Sequence, residues 1–172
     1  MKFNYFHLMP WPYCEEPPTS WPVPNNTFDA AKAQALYKTY IDAMVYAEAC
    51  GFDWVGCNEH HFSPYGLMSN CNLIGSVVAN RTSTIGLGMF GNLVPLLNPI
   101  RVAEEYAMLD VMSGGRLIAG FSKRVRDQSP TRLGRRSFLA RHPIGRSTLG
   151  IVHLLPPANE LCRIATSAMR AV

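Results

Sequence analysis

The sequence predicts a parallel α/β fold built from repeated strand–helix units. Three observations predict it. Through residue 121, short runs rich in aromatic and β-branched residues alternate with longer segments whose apolar residues recur at helical spacing. Signals for helix ends and starts stand at the junctions, at Gly51, Asn98-Pro99 and Ser113-Gly114-Gly115. The 172 residues are 48% apolar and 16% charged, the composition of a chain that buries a core. No apolar run approaches the ~20 residues that a membrane span needs.

Taken in order, Lys2 to Met9 reads as the first strand. The loop after it carries Pro10, Pro12, Pro17, Pro18, Pro22 and Pro24, which exclude regular helix and central strand. Trp11 and Trp21 predict that this loop packs onto the body of the protein. Thr27 or Asp29 caps the next helix. Its Leu36/Tyr37, Tyr40/Ile41 and Met44/Val45 pairs keep helical spacing, and Gly51 ends it in a left-handed conformation. Phe52 to Cys57 is a second strand. Asn70 to Asn80 forms a short helix through Leu73, Ile74, Val77 and Val78. Thr84 to Gly91 is a third strand. Asn98 then caps a helix with Pro99 at its first position and Val102, Tyr106 and Leu109 on one stripe. Arg116 to Phe121 is a fourth strand. The order β-α-β-α-β-α-β implies right-handed crossovers and a parallel sheet. A doubly wound sheet and a (βα)8 barrel both begin this way, and four strands are half of such a barrel.

Charge divides the chain at the same place. Residues 1–121 hold six Lys/Arg and ten Asp/Glu, net −4; residues 122–172 hold ten and two, net +8. The overall +4 therefore says nothing about the first part. In the second part the alternation stops. Lys123-Arg124-Val125-Arg126 opens an arginine-rich run, followed by an apolar patch at 151–155 and a helical stretch at 159–169. Residues 122–172 are expected to be a basic tail, poorly ordered or read in a shifted frame. Translating the source DNA in the other two frames tests the second idea, which fails if no strand–helix continuation emerges. A nucleic-acid-binding module over 123–146 is the least favoured reading, because Phe138 is the lone aromatic among those arginines. Five cysteines without a CxxC pair argue for reduced thiols rather than a disulfide framework or zinc site. Met1 to Pro10 lacks the apolar core of a signal peptide, so the expected compartment is the cytoplasm.

In a parallel α/β sheet, ligands gather beyond the C-terminal strand ends. The most unusual of these ends is Asn58-Glu59-His60-His61-Phe62. An imidazole there titrates near neutrality and can take or give a proton at a ligand. Satisfied or surface histidines are the equal alternative. Zinc is disfavoured: the motif is not HExxH, and neighbours on a strand point to opposite faces. Gly86 to Gly91 matches GxGxxG but lies within a strand, with Leu93-Val94-Pro95 after it instead of a helix. Close packing in a sheet explains those glycines better than a dinucleotide site. Phe90-Gly91-Asn92 still closes a strand with small residues that let a flat ligand near the backbone. Arg101, Glu104 and Glu105 read as a solvated helix face.

Several blocks in one order resemble the bacterial luciferase-like monooxygenases. They are Phe6 to Pro10, Asn58 to Phe62, Tyr65 to Met68, Gly91 to Pro99, Arg101 to Glu105 and Met108 to Arg116. The resemblance covers about residues 1–121. It implies the first half of a (βα)8 barrel, a homodimer, and an enzyme using reduced flavin and O2 on an organic substrate. FMN is the implied cofactor, with the deazaflavin F420 in some branches, and a separate reductase commonly supplies it. By position, His60 resembles the catalytic histidine, with Glu59 and His61 beside it in the flavin site. Phe90, Gly91 and Asn92 resemble the wall beneath the flavin ring, where family members often hold a cis peptide. Ser122 and Lys123 fall where a flavin contact and a phosphate-binding base are expected. No metal is implied. Beyond Phe121 the family blocks stop, so a non-catalytic barrel fragment acting through oligomerisation is the alternative.

Overall fold

The computed structural model describes residues 1–14, 24–61, 66–93 and 97–122. Four strands, β1 (Asn4–His7), β2 (Trp54–Cys57), β3 (Gly86–Leu93) and β4 (Leu117–Ser122), form one parallel sheet in the order β1-β2-β3-β4. Three helices, α1 (Ala30–Ala49), α2 (Cys71–Arg81) and α3 (Pro99–Ser113), connect them. Strands that pair strictly in chain order belong to a barrel wall. A doubly wound sheet reverses direction after its first units. The sheet is thus half the strand complement of a (βα)8 barrel.

The helix ends follow local chemistry. Asp29 caps α1 by accepting from the Lys32 amide at 2.9 Å, while Thr27 holds the Trp11 indole N–H at 3.3 Å. Asn70 accepts from the Asn72 and Leu73 amides, and Asn98 from the Ile100 amide. At the other ends Gly51 (φ +80°) and Gly114 (φ +71°) take left-handed backbone. There the Phe52 amide reaches back to the Ala47 carbonyl and the Gly115 amide to the Asp110 carbonyl, as in a Schellman motif.

Alternation in the strands separates two faces. Val55, Cys57, Leu87 and Met89 are fully buried and belong to the core with Met44, Ala47, Ile74, Val78, Val102, Tyr106 and Leu109 from the helices. Trp11 joins this core at 3% exposure, as the packed-loop reading expects; Trp21 lies outside the described residues. Leu73 and Val77 depart from the expected apolar stripe. Both are exposed, and Cys71 and Asn72 are buried on α2 in addition to Ile74 and Val78. Residues 123–172, including Lys123, the patch at 151–155 and the expected helix at 159–169, lie outside the described residues.

On the opposite face stand Asn4, Phe6, Gly56, Gly88, Phe90 and Gly120. A Cβ on Gly56 would meet the Phe90 ring at 2.7 Å, and one on Gly88 at 2.3 Å. The ring lies across these two strands and stacks on Phe6 at 6.4 Å, leaving no room for side chains there. The GxGxxG match is thus a packing feature within β3, as the strand context predicts.

Candidate active site

The site is built where β2, β3 and β4 end. After Cys57 the chain runs through Asn58, Glu59, His60 and His61. The segment at Gly66–Met68 then lies against the residues after β1 and β2. The His60 amide donates to the Met68 carbonyl at 2.7 Å, and the Leu67 amide to the Met9 carbonyl at 2.8 Å. Tyr37 donates its hydroxyl to the Leu67 carbonyl, and Tyr40 to the Pro10 carbonyl at 2.9 Å. Met9 is fully buried with a left-handed φ of 45°, and its amide donates to Nδ1 of His7 at 2.9 Å. Such backbone persists only where the surroundings impose it.

The two histidines have different surroundings. The His60 ring rests on Gly66, where a Cβ would come within 2.7 Å of its Cδ2. The Asn58 amide donates from Nδ2 to His60 Nε2 at 2.8 Å. Burial of the His60 ring, and then the neighbouring His61, lower its pKa below the usual histidine value. Burial thus favours the neutral form of the ring. His61 instead meets Glu59 Oε2 at 3.3 Å.

The Glu59 side chain is 3% exposed and ties the strand ends together. Its carboxylate accepts from the Cys71 amide at the start of α2, at 3.3 Å, and from the Leu93 amide at the end of β3, at 3.2 Å. Gly91 completes the junction. A Cβ there would fall 2.2 Å from the Glu59 amide nitrogen, so only glycine lets β3 pass this close to β2. The β3–β4 register shifts between Met89 and Asn92, a bulge centred on Phe90-Gly91.

The bulge sends flanking side chains to different places. The Phe90 ring turns onto the glycines of the open face. Asn92 is 1% exposed and joins a buried network: its Nδ2 donates to Asn72 Oδ1 at 2.9 Å and to the Tyr106 hydroxyl at 2.5 Å. Tyr106 in turn reaches the Gly120 carbonyl at 2.8 Å, which ties α3 to β4. Burial raises the Tyr106 pKa, so the phenol keeps its proton. Asn72 also donates to Glu105 at 3.0 Å, so Glu105 is more than a solvated charge.

Of the residues singled out from sequence, Glu59, His60, His61, Phe90, Gly91 and Asn92 gather at one end of the sheet. Ser122 arrives there by backbone pairing with Leu93. Asn58, Gly66 and Tyr106 were missed as site residues. Asn58 and Gly66 lay inside quoted blocks without a role, and Tyr106 read as core. A cavity of about 520 Å³ opens at the opposite end of the strands, between Lys2, Trp54, Arg116 and Ile118. It lacks a histidine, and its Arg116 is engaged by backbone carbonyls. The histidines and the buried carboxylate of Glu59 gather instead at the strand-end cluster.

A family model described as luciferase-like monooxygenase matches residues 20–155. The chain belongs to the luciferase-like monooxygenase family. The match runs past Phe121 into the arginine-rich segment. An uncharacterised protein of Sinorhizobium fredii, y4wF, is 42% identical over 92 residues, 52% of this chain and 27% of that protein. The alkanal monooxygenase alpha chain of Photorhabdus luminescens is 35% identical over 77 residues, 45% of this chain and 21% of that one. The matched stretches are thus under a third of those relatives' length. Among solved structures, the oxygenating constituent of 3,6-diketocamphane monooxygenase from Pseudomonas putida, a type II Baeyer-Villiger monooxygenase in complex with FMN, aligns with a TM-score of 0.65. It is 20% identical, and the alignment covers 88% of this chain and 38% of that one, a likeness of fold.

Proposed function

We propose that this luciferase-like chain serves a flavin-dependent monooxygenase reaction on an organic substrate, with His60 handling the proton. The observation that carries this reading is a half-buried imidazole of lowered pKa at the strand ends, beside the β3 bulge at Phe90-Gly91. The residues fit a flat cofactor. The Phe90 ring on the open sheet face offers a flat apolar surface, and Gly91 lets the end of β3 pack tightly against Asn58 and Glu59 beside it. Reduced flavin, when bound, supplies the electrons that activate O2 for transfer of an oxygen atom to the substrate.

Around that group the chain's own residues have distinct tasks. His60 takes or gives a proton at a ring nitrogen, and Gly66 and Asn58 set where that nitrogen points. Glu59 and His61 hold the mouth together by joining β2, β3 and α2. Met9, Trp11 and Met68, all buried, keep water from the floor beneath. FMN rather than the deazaflavin, Lys123 as a phosphate contact, and a reductase that delivers reduced flavin complete the reading. Titrating the purified chain with reduced FMN, followed by flavin fluorescence, tests it. Saturable binding is expected, and its absence up to millimolar flavin sinks the proposal.

A homodimer belongs to the same reading. Leu73 and Val77 on α2, with Ile100, Met108, Val111 and Met112 on α3, are exposed apolar side chains on neighbouring helices. Met108→Lys with Val111→Asp should turn a dimer into a monomer in sedimentation. A second reading rests on the open sheet face, where Phe6 is 46% exposed: a non-catalytic fragment that assembles through that face and binds no flavin. Among the described residues no helix is long and apolar enough to cross a membrane. A boundary at residue 121 with a frame-shifted 122–172 is a competing proposal, to be checked against the DNA; it would remove Lys123 as a phosphate contact, and the family match running to residue 155 speaks against it.

A further inference from the structure

We propose that Asn58 is a two-ended partner for His60, one amide end serving the neutral ring and the other the protonated ring, so that a proton can enter and leave His60 without stranding a buried polar atom. Its functional consequence rests on the reading of His60 given above; the geometry does not.

The argument begins with an imbalance. Asn58 donates through Nδ2 to His60 Nε2 at 2.8 Å, which makes Nε2 an acceptor and puts the ring's proton on Nδ1. The other end of the same amide, Oδ1, is buried and has no hydrogen-bond partner. A buried acceptor without a donor is costly and is seldom tolerated without reason. Here the reason is adjacent. When His60 takes a second proton, Nε2 becomes an N–H donor and repels the Asn58 NH2. Turning the amide end for end brings Oδ1 to Nε2–H and restores the bond with its direction reversed. The unpartnered oxygen is the end held for the protonated state.

Among the described residues, the ring's neighbours on its own segment and beneath it are otherwise engaged or apolar. On its own segment, Glu59 directs its carboxylate to Cys71, Leu93 and His61, and His61 opposes the charge of a protonated His60. The Gly66–Met68 segment meets His60 with backbone and apolar groups. Tyr37 from α1 reaches that segment with its hydroxyl given to the Leu67 carbonyl. An aspartate at 58 would accept only from an Nε2 that carries a proton, and a leucine would serve neither form.

Nitrogen-15 NMR of the imidazoles across a pH titration tests this without any flavin. In the wild-type chain the neutral His60 ring should carry its proton on Nδ1. Asn58→Asp should move the proton of the neutral ring to Nε2 and raise the His60 midpoint by about one pH unit or more. Asn58→Leu should abolish the Nδ1–H preference and lower the midpoint. Neutral wild-type His60 protonated on Nε2 overturns the proposal before any variant is made. Variants with unchanged tautomer and midpoint overturn it as well. Because the wild-type spectrum decides the first point, a variant that fails to fold leaves the proposal open to refutation. Failure of the FMN titration would instead strike the reading of the site and leave the pairing standing. If both readings hold, the pH profile of substrate oxidation moves with the NMR midpoint in each variant.

Discussion

At the N-terminal ends of the strands, Arg116, Glu48 and Asp53 close onto backbone groups; at the C-terminal ends Glu59 does the same, but an imidazole and an unpartnered amide oxygen stand beside it. Arg116 exemplifies the first end. Its guanidinium donates to the carbonyls of Ala79, Thr82, Ile85 and Ser113 and to the Thr82 hydroxyl, fastening the end of α2 to the start of β4. Glu48, at the end of α1, accepts from the amides of Ser83, Thr84 and Ile85 just before β3. Asp53 accepts from the Phe3 amide at 2.7 Å between β1 and β2. The other end has a bulge, a left-handed Met9, an imidazole of lowered pKa and an unpartnered amide oxygen. The N-terminal end is dominated by such closures, although Asp110 Oδ1 is buried there without a partner, and the C-terminal end gathers the histidines. The same division of labour is general for (βα)8 barrels.

Substitutions at the two ends should therefore separate cleanly. The largest effect is expected for His60→Ala, which should slow substrate oxidation by roughly 10²–10⁴-fold while leaving flavin affinity nearly unchanged. Equal losses of turnover and flavin binding would break the comparison. Arg116→Met should destabilise the fold by about 3 kcal/mol, because several partly buried carbonyls lose their donor at once. Its urea midpoint should fall while flavin affinity per folded molecule holds. Gly66→Ala should cost about 1–2 kcal/mol by crowding the His60 ring and should also move the His60 NMR titration. A change in stability with no change in that titration would put Gly66 with the fastening residues instead.

The smallest effect concerns Glu48 and pH. Backbone hydrogen bonds from Thr84 and Ile85, aided by Ser83, pull its pKa from 4.5 to about 2. A depressed carboxylate stabilises the fold above its unfolded pKa and loses that contribution as the pH falls through the folded value. The wild type should thus lose stability as the pH falls from about 4.5 towards 2, and Glu48→Gln should lose less over the same interval. Parallel curves for the two proteins in acid denaturation would remove Glu48 from the set.

What could be read from the sequence was local. Thr27 or Asp29, and Asn98, announce helix starts because a cap acts on amides two or three residues away, whereas Asn70 reads as part of its helix and is instead the cap. Gly51 and Gly114 announce ends because left-handed backbone favours glycine. The strand-end location of Glu59 to His61 followed from the element order alone. Long-range closures were not visible. Nothing near Arg116 points to the Ala79 carbonyl, and nothing near Glu48 points to the Ser83 amide. The outward turn of Leu73 and Val77 escaped for a related reason. α2 buries Cys71, Asn72 and Gly75 against its neighbours, so small and polar residues take places that an apolar count assigns to larger ones. Tyr106 was legible as buried, but its hydroxyl bonds to Asn92 and Gly120 depend on a bulge that no periodicity encodes.

The Phe90 ring lying over Gly56 and Gly88 also constrains how this protein can change. While the ring is in place, a methyl group at either glycine collides with it. If Phe90 is first replaced by a smaller residue, Gly88 becomes able to accept a side chain, and Gly56 does once Asn4 Nδ2, 3.0 Å from its Cβ position, gives way. Two sets of substitutions with the same end point thus differ in whether each intermediate folds, according to which comes first. The space over these two strands is inherited through a single position, and a lineage that remodels it must pass through residue 90 before it touches the glycines.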